Sequence, residues 1–322
     1  MFLSIFRSNQ PYIGFFIPVI NALLWSVVLL KGAVIASDFN APLSFLLPYF
    51  QDKWVLFSLG VGLSSLNAIL LNVLFNREEY MNKSNSLPAL LYSVSVAVSC
   101  SSSNGVFILL SHLILMPGIY RIIKIYREPR ALGAYFESGF WFALSAMFFT
   151  PNLFLIPVAM GCVLYTRPFN FRELIMPLLG GLLPILYLFA AAYLTENYTL
   201  IHVWKTVVAE SAFSKEEWRL AILFFISAVM VLMSLFLYLK SYARSNNRSR
   251  NTKSVFLIIC GGLLLTSFTV IFSAPQLIPA IIAPFIAFGG SYLFVDTSGA
   301  SYREMMFLTW LGLVILYLWE FI

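Results

Sequence analysis

Residues 133–184 read GAYFESGFWFALSAMFFTPNLFLIPVAMGCVLYTRPFNFRELIMPLLGGLLP. Two apolar runs meet at Thr150-Pro151-Asn152, and a charged bend, Arg167-Pro168-Phe169-Asn170-Phe171-Arg172-Glu173, launches a third. Runs this apolar, cut by proline and charge, predict helices that cross a membrane and are joined by short turns.

The pattern extends outward along the chain. Hydrophobic residues make up 60% of it, charged residues 11%, and the mean hydropathy is +0.87; soluble domains carry about 25% charged residues. An all-α, polytopic transmembrane bundle follows, formed as a single transmembrane domain over residues 1–322. Apolar runs near residues 12–30, 54–75, 87–102, 105–120, 132–149, 151–166, 174–195, 217–239, 254–272, 276–295 and 305–322 give about eleven spans, judged against a hydrocarbon core about 30 Å thick. Runs 87–102 and 105–120 read either as two crossings or as a short hairpin turning at Ser101-Ser102-Ser103-Asn104-Gly105. Residues 12–30 compete with a cleavable signal ending near Val34-Ile35-Ala36, but the run is longer than a signal core and reads as an uncleaved span.

Sidedness follows from counting. With the N-terminus as the first loop, odd-numbered loops hold fifteen of the 20 Lys and Arg residues, among them Arg7, Arg77, Arg121, Lys124, Arg167, Arg250, Lys253 and Arg303. The bias predicts a cytoplasmic N-terminus and, with an odd number of spans, a C-terminus on the outer side. Residues 240–253, polar and basic, read as a mobile cytoplasmic loop whose role is topogenic or, second, a contact with anionic lipid headgroups.

His112, His202, Cys100, Cys162 and Cys260 fall at spacings that match no metal motif, so no cofactor is expected. The cysteines read as small packing residues within apolar runs. No basic groove interleaved with aromatics exists outside the loops that flank spans, which argues against a nucleic-acid partner. No Gly-rich phosphate loop or nucleophile elbow occurs.

A few polar residues stand where chemistry is conceivable. Asp38, just beyond the outer end of the first span, reads either as a general base facing a substrate from the headgroup region or as a turn residue before Pro42. Asp52 and Lys53 mark the waterline before the second span. Glu137, about one and a half turns into its span, reads as a side chain snorkelling back to the arginines of residues 121–130 or as a proton relay. His112, mid-helix, reads as an interhelical hydrogen-bonding partner, as do Asn21, Asn67 and Asn72. Leu200, Val203, Trp204, Val207 and Val208 recur near helical spacing, so the second outer segment reads as an interfacial helix. There His202, Lys205 and Arg219 serve either as contacts to a lipid-linked phosphate or as interface anchors.

An opening span, an acid in the first outer loop, short third and fourth spans, a Phe-x-x-Gly-Phe span, a Pro-Asn turn and a basic bend together resemble the N-terminal half of GT-C-type integral-membrane glycosyltransferases. Phe75-Asn76-Arg77, Leu87-Pro88-Ala89-Leu90-Leu91-Tyr92, Glu137-Ser138-Gly139-Phe140 and the 167–173 bend resemble more closely a family of uncharacterised bacterial inner-membrane proteins. The closer resemblance covers roughly residues 1–195, followed by additional spans over 196–322, and brings no established activity. The GT-C resemblance implies sugar transfer from a polyprenyl-phosphate donor at the outer leaflet, with Asp38 as base. Departures from that pattern are the short loop after Asp38, the absence of an acidic pair and the absence of a C-terminal outer domain. The expectations are therefore, first, a GT-C-like glycosyltransferase and, second, a non-catalytic membrane subunit of a cell-envelope assembly that binds lipids or envelope proteins. A transporter is third.

Overall fold

The computed structural model describes residues 2–8, 10, 12–31, 41–43, 46, 52–78, 80–81, 84–100, 104–125, 131–196, 218–243, 247–270, 277–295 and 300–320. Among these residues there is no strand. In an apolar solvent each backbone N–H and C=O must be satisfied within its own segment, and helices do this.

A five-residue helix, α1 (Phe2–Phe6), precedes α2 (Ile13–Lys31), α3 (Lys53–Arg77), α4 (Leu87–Ala97), α5 (Asn104–Lys124) and α6 (Leu132–Ala146). A 3-10 turn (Thr150–Phe154) runs into α7 (Leu155–Thr166), followed by α8 (Phe171–Leu194), α9 (Trp218–Ala243), α10 (Asn247–Phe268), α11 (Ile278–Ile281), α12 (Ala283–Val295) and α13 (Ala300–Glu320). Among the described residues each apolar run expected from the sequence overlaps helix, with the 276–295 run broken into α11 and α12. Ile13–Leu30, Lys53–Arg77, Asn104–Lys124, Phe171–Leu194 and Ser249–Phe268 are long and apolar enough to cross a membrane.

Local chemistry sets several boundaries. The Asp52 carboxylate accepts from the Trp54 amide at 2.9 Å and caps α3, and the Asn170 side chain accepts from the Arg172 amide at 3.1 Å and caps α8. Pro88 and Pro279 occupy the first turns of α4 and α11, where a missing N–H leaves no bond unmade.

Helices α4 and α12 form the centre. All 11 residues of α4 are buried, and at 1.5 Å per residue it spans only about 16 Å. Helix α12 is almost as fully enclosed, and its Gly290 lets Leu91 of α4 approach closely. Longer helices surround this pair. Trp25 of α2 lies flat over Gly60 of α3, and α8 presents one face to α6 and the other outward.

Basic residues collect at one end of the bundle. There Arg7 Nε donates to the Phe294 carbonyl at 2.9 Å, a guanidinium nitrogen of Arg167 donates to the Ile125 carbonyl at 3.2 Å, and the Ser86 amide donates to the Phe6 carbonyl at 2.8 Å. The opposite end holds the Thr150–Phe154 turn, where Asn152 Nδ2 donates to Ser145 Oγ at 3.2 Å.

One expectation is corrected. Among the described residues of the stretch expected as a loop, 240–243 belong to α9 and 247–253 to α10. Arg250 donates to the Ala243 carbonyl at 2.8 Å and to the Tyr242 carbonyl at 3.3 Å. A cation on the last carbonyls of α9 satisfies them and opposes the negative end of the helix dipole, which lets a polar stretch end one helix and begin the next.

Candidate functional site

A polar side chain inside an apolar bundle must find a partner, because an unmet donor or acceptor has no water to turn to. His112 meets this condition on α5. It is 2% exposed, its Nδ1 stands 3.0 Å from the Tyr92 hydroxyl on α4, and its ring faces the backbone of Ile281 in the one-turn α11. A hydroxyl both donates and accepts, so Tyr92 can pair with Nδ1 in either tautomer of the imidazole.

The network continues through Tyr92. Asn67 of α3 lies near the same hydroxyl, and its Nδ2 donates to the Leu109 carbonyl on α5 at 2.8 Å. Three helices, α3, α4 and α5, are thereby joined by polar side chains. Elsewhere Asn21 Nδ2 donates to Ser65 Oγ at 2.9 Å between α2 and α3, and Trp310 Nε1 donates to Ser227 Oγ at 3.1 Å between α13 and α9. His112, Asn21 and Asn67 thus act as expected, as interhelical partners.

Glu137 lies at the basic end. Its carboxylate meets Arg121 Nε at 2.6 Å, and the two side chains are 42% and 37% exposed. The pair links α6 to α5 at this end of the bundle. In the charged bend, Glu173 faces Arg167 at 3.4 Å.

Sequence reasoning missed a second focus at the same end. Tyr80, in the connection after α3, lies with its ring centre 4.2 Å from that of Phe288, tilted by 34°, and 5.1 Å from that of Tyr292, and the Tyr292 hydroxyl donates to the Tyr80 carbonyl at 2.9 Å. Phe75, Phe256 and Tyr238 complete the aromatic group. Lys253 is fully buried against it, its ammonium 5.7 Å from the centre of the Tyr292 ring, a distance at which the ring's negative face stabilises a cation. Burial pushes the Tyr80 hydroxyl well above its ordinary range, so it is protonated throughout the physiological range. The helical spacing of Lys253, Phe256 and Cys260 was a usable signal for one inward face.

Among the described residues no group of three or more His, Cys, Asp or Glu could hold a metal ion. Asp38, His202 and Lys205 lie outside the described residues, and the Arg219 side chain, in the first turn of α9, does too. The segment after Asp38 is placed by Leu43, whose amide donates to the Met147 carbonyl at 3.3 Å. It therefore meets the end of α6 beside Thr150-Pro151-Asn152.

Residues 42–282 match the model described as "Family of unknown function (DUF6427)". The matched range includes the Asn67, Tyr92 and His112 network and Glu137, and leaves out Asp38 and α13. No curated protein and no solved structure matches the chain.

Proposed function

The chain belongs to this family of unknown function, DUF6427, and from that premise we propose that it is a multi-pass inner-membrane protein serving as a non-catalytic helical subunit of a cell-envelope assembly. One observation carries the reading. His112, a titratable group buried in the bundle, is paired with Tyr92, while α8 turns Leu178, Leu182, Leu186, Phe189 and Tyr193 outward. Interior polarity holds helices together, and the outer face is free for lipid or partner helices. A photoreactive residue placed at Leu186 in cells tests this. Crosslinking to a defined protein supports the subunit reading, and crosslinking to lipid alone removes it.

In this reading about eleven segments cross, with short ones such as α4 and α12 enclosed by long ones. The basic end faces the cytoplasm, as does the N-terminus, and the C-terminus is periplasmic. A reporter fused after Ile322 that is active in the cytoplasm overturns the count.

A GT-C-like glycosyltransferase is the second reading, with Asp38 as base and His202, Lys205 and Arg219 on the phosphate of a polyprenyl-linked donor. It is favoured by the Leu43 to Met147 bond, which brings the segment after Asp38 to the end opposite the basic cluster. Asp38→Asn with unchanged protein level and unchanged envelope glycan excludes it.

A further inference from the structure

Helices α9, α12 and α13 enclose a groove of about 600 Å³ lined by Leu232, Met233, Phe236, Leu237, Leu293, Tyr302 and Arg303. Its shape follows from the way the helices pass. Trp310 of α13 pairs with Ser227 of α9, whereas Tyr302 and Arg303 meet the later α9 residues of the groove, so the two helices run antiparallel and the start of α13 lies beside the end of α9. Positions 232, 233, 236 and 237 share one face of α9, and Lys240 continues that face one turn further. Lys240 is exposed and Arg303 half-buried.

The groove is therefore apolar along its length and cationic at the end where the bundle gathers its basic residues. Leu232 and Phe236 are 65% and 72% exposed, so its walls face the surroundings rather than the core. Its volume falls within the range of sites that hold small apolar molecules. Tyr302 stands beside Arg303 at the mouth, the headgroup level at which amphipathic rings settle.

From this charge and shape we infer that the groove is a binding site for an anionic glycerophospholipid, its acyl chain along Leu232, Met233 and Phe236 and its phosphate between Lys240 and Arg303. A zwitterionic lipid offers the same chain but brings its own cation to the two basic residues, so the site discriminates by headgroup charge. The inference rests on the membrane-embedded reading but not on the subunit role or the span count, which the crosslinking and reporter experiments test separately.

The full chain, purified in a neutral detergent, is titrated with phosphatidylglycerol and with phosphatidylcholine, and bound lipid is read by native mass spectrometry beside the thermal unfolding midpoint. Phosphatidylglycerol is retained in preference to phosphatidylcholine and raises the midpoint. Joint K240Q and R303Q substitution weakens phosphatidylglycerol binding by about ten- to thirty-fold, the scale of two basic side chains at an anionic surface. M233W, which fills the groove but keeps both cations, lowers retention of phosphatidylglycerol, and R303K largely preserves it. These two variants serve if the double substitution compromises folding. Equal retention of both lipids, or undiminished phosphatidylglycerol binding by a folded M233W chain, overturns the site.

Discussion

Gly139 of α6 lies directly against the backbone carbonyl of Pro177 on α8, and Gly180 of α8 lies in the same way against the carbonyl of Phe136 on α6. The contact is reciprocal, each glycine admitting the other helix's backbone. Without a hydrophobic driving force between helices in lipid, such close approach is a main source of association. Any Cβ at either position collides with backbone, which cannot swing aside as a side chain does. Gly139→Leu or Gly180→Leu is therefore expected to cost about 3 kcal/mol or more, at the upper end of overpacking effects. Thermal unfolding in detergent should show a large fall in midpoint for both. Gly62→Ala, at a site with nothing within 4 Å of the added carbon, should leave the midpoint almost unchanged.

The His112 network gives a graded expectation. Tyr92→Phe removes the hydrogen-bonding partner of His112 Nδ1 while keeping the ring, and is expected to destabilise by about 1 kcal/mol, the scale of interhelical hydrogen bonds in membranes. His112→Leu strands the buried Tyr92 hydroxyl, for about 2–3 kcal/mol. Denaturant unfolding in mixed micelles checks the order, and equal stability of all three proteins would remove the network from the account.

For Glu137, partial exposure decides the size of the effect. The Arg121–Glu137 pair keeps over a third of each side chain in contact with solvent, so Glu137→Gln should cost under about 1 kcal/mol. Exchange of the two residues, Arg121→Glu with Glu137→Arg, should restore wild-type stability. A large loss from Glu137→Gln alone would show that the carboxylate does more than pair.

Cys100, Cys162 and Cys260 are free and buried, each no more than 3% exposed. A maleimide applied to the folded protein should label none of them, and all three should react after denaturation. Counting adducts by mass spectrometry in both states checks this, and labelling of Cys162 in the folded state would contradict the packing of α7.

The sequence by itself determined the helical class and the places of the apolar segments, because hydropathy depends on residues a few positions apart. It also determined that Arg121 and Glu137 belong to one end, since charges flanking apolar runs must gather where water begins. Only the tertiary structure decided that the short α4 and α12 are central, that residues 240–243 and 247–253 are helical, and that Lys253 is buried against Tyr292. It likewise joined Tyr92 to His112 and Asn67 to Leu109, and set Gly139 against Pro177. These relations connect residues tens to hundreds of positions apart, and in an apolar solvent hydropathy assigns no helix a particular neighbour. Backbone clearance at glycine and the pairing of buried polar groups such as Tyr92 with His112 made that choice.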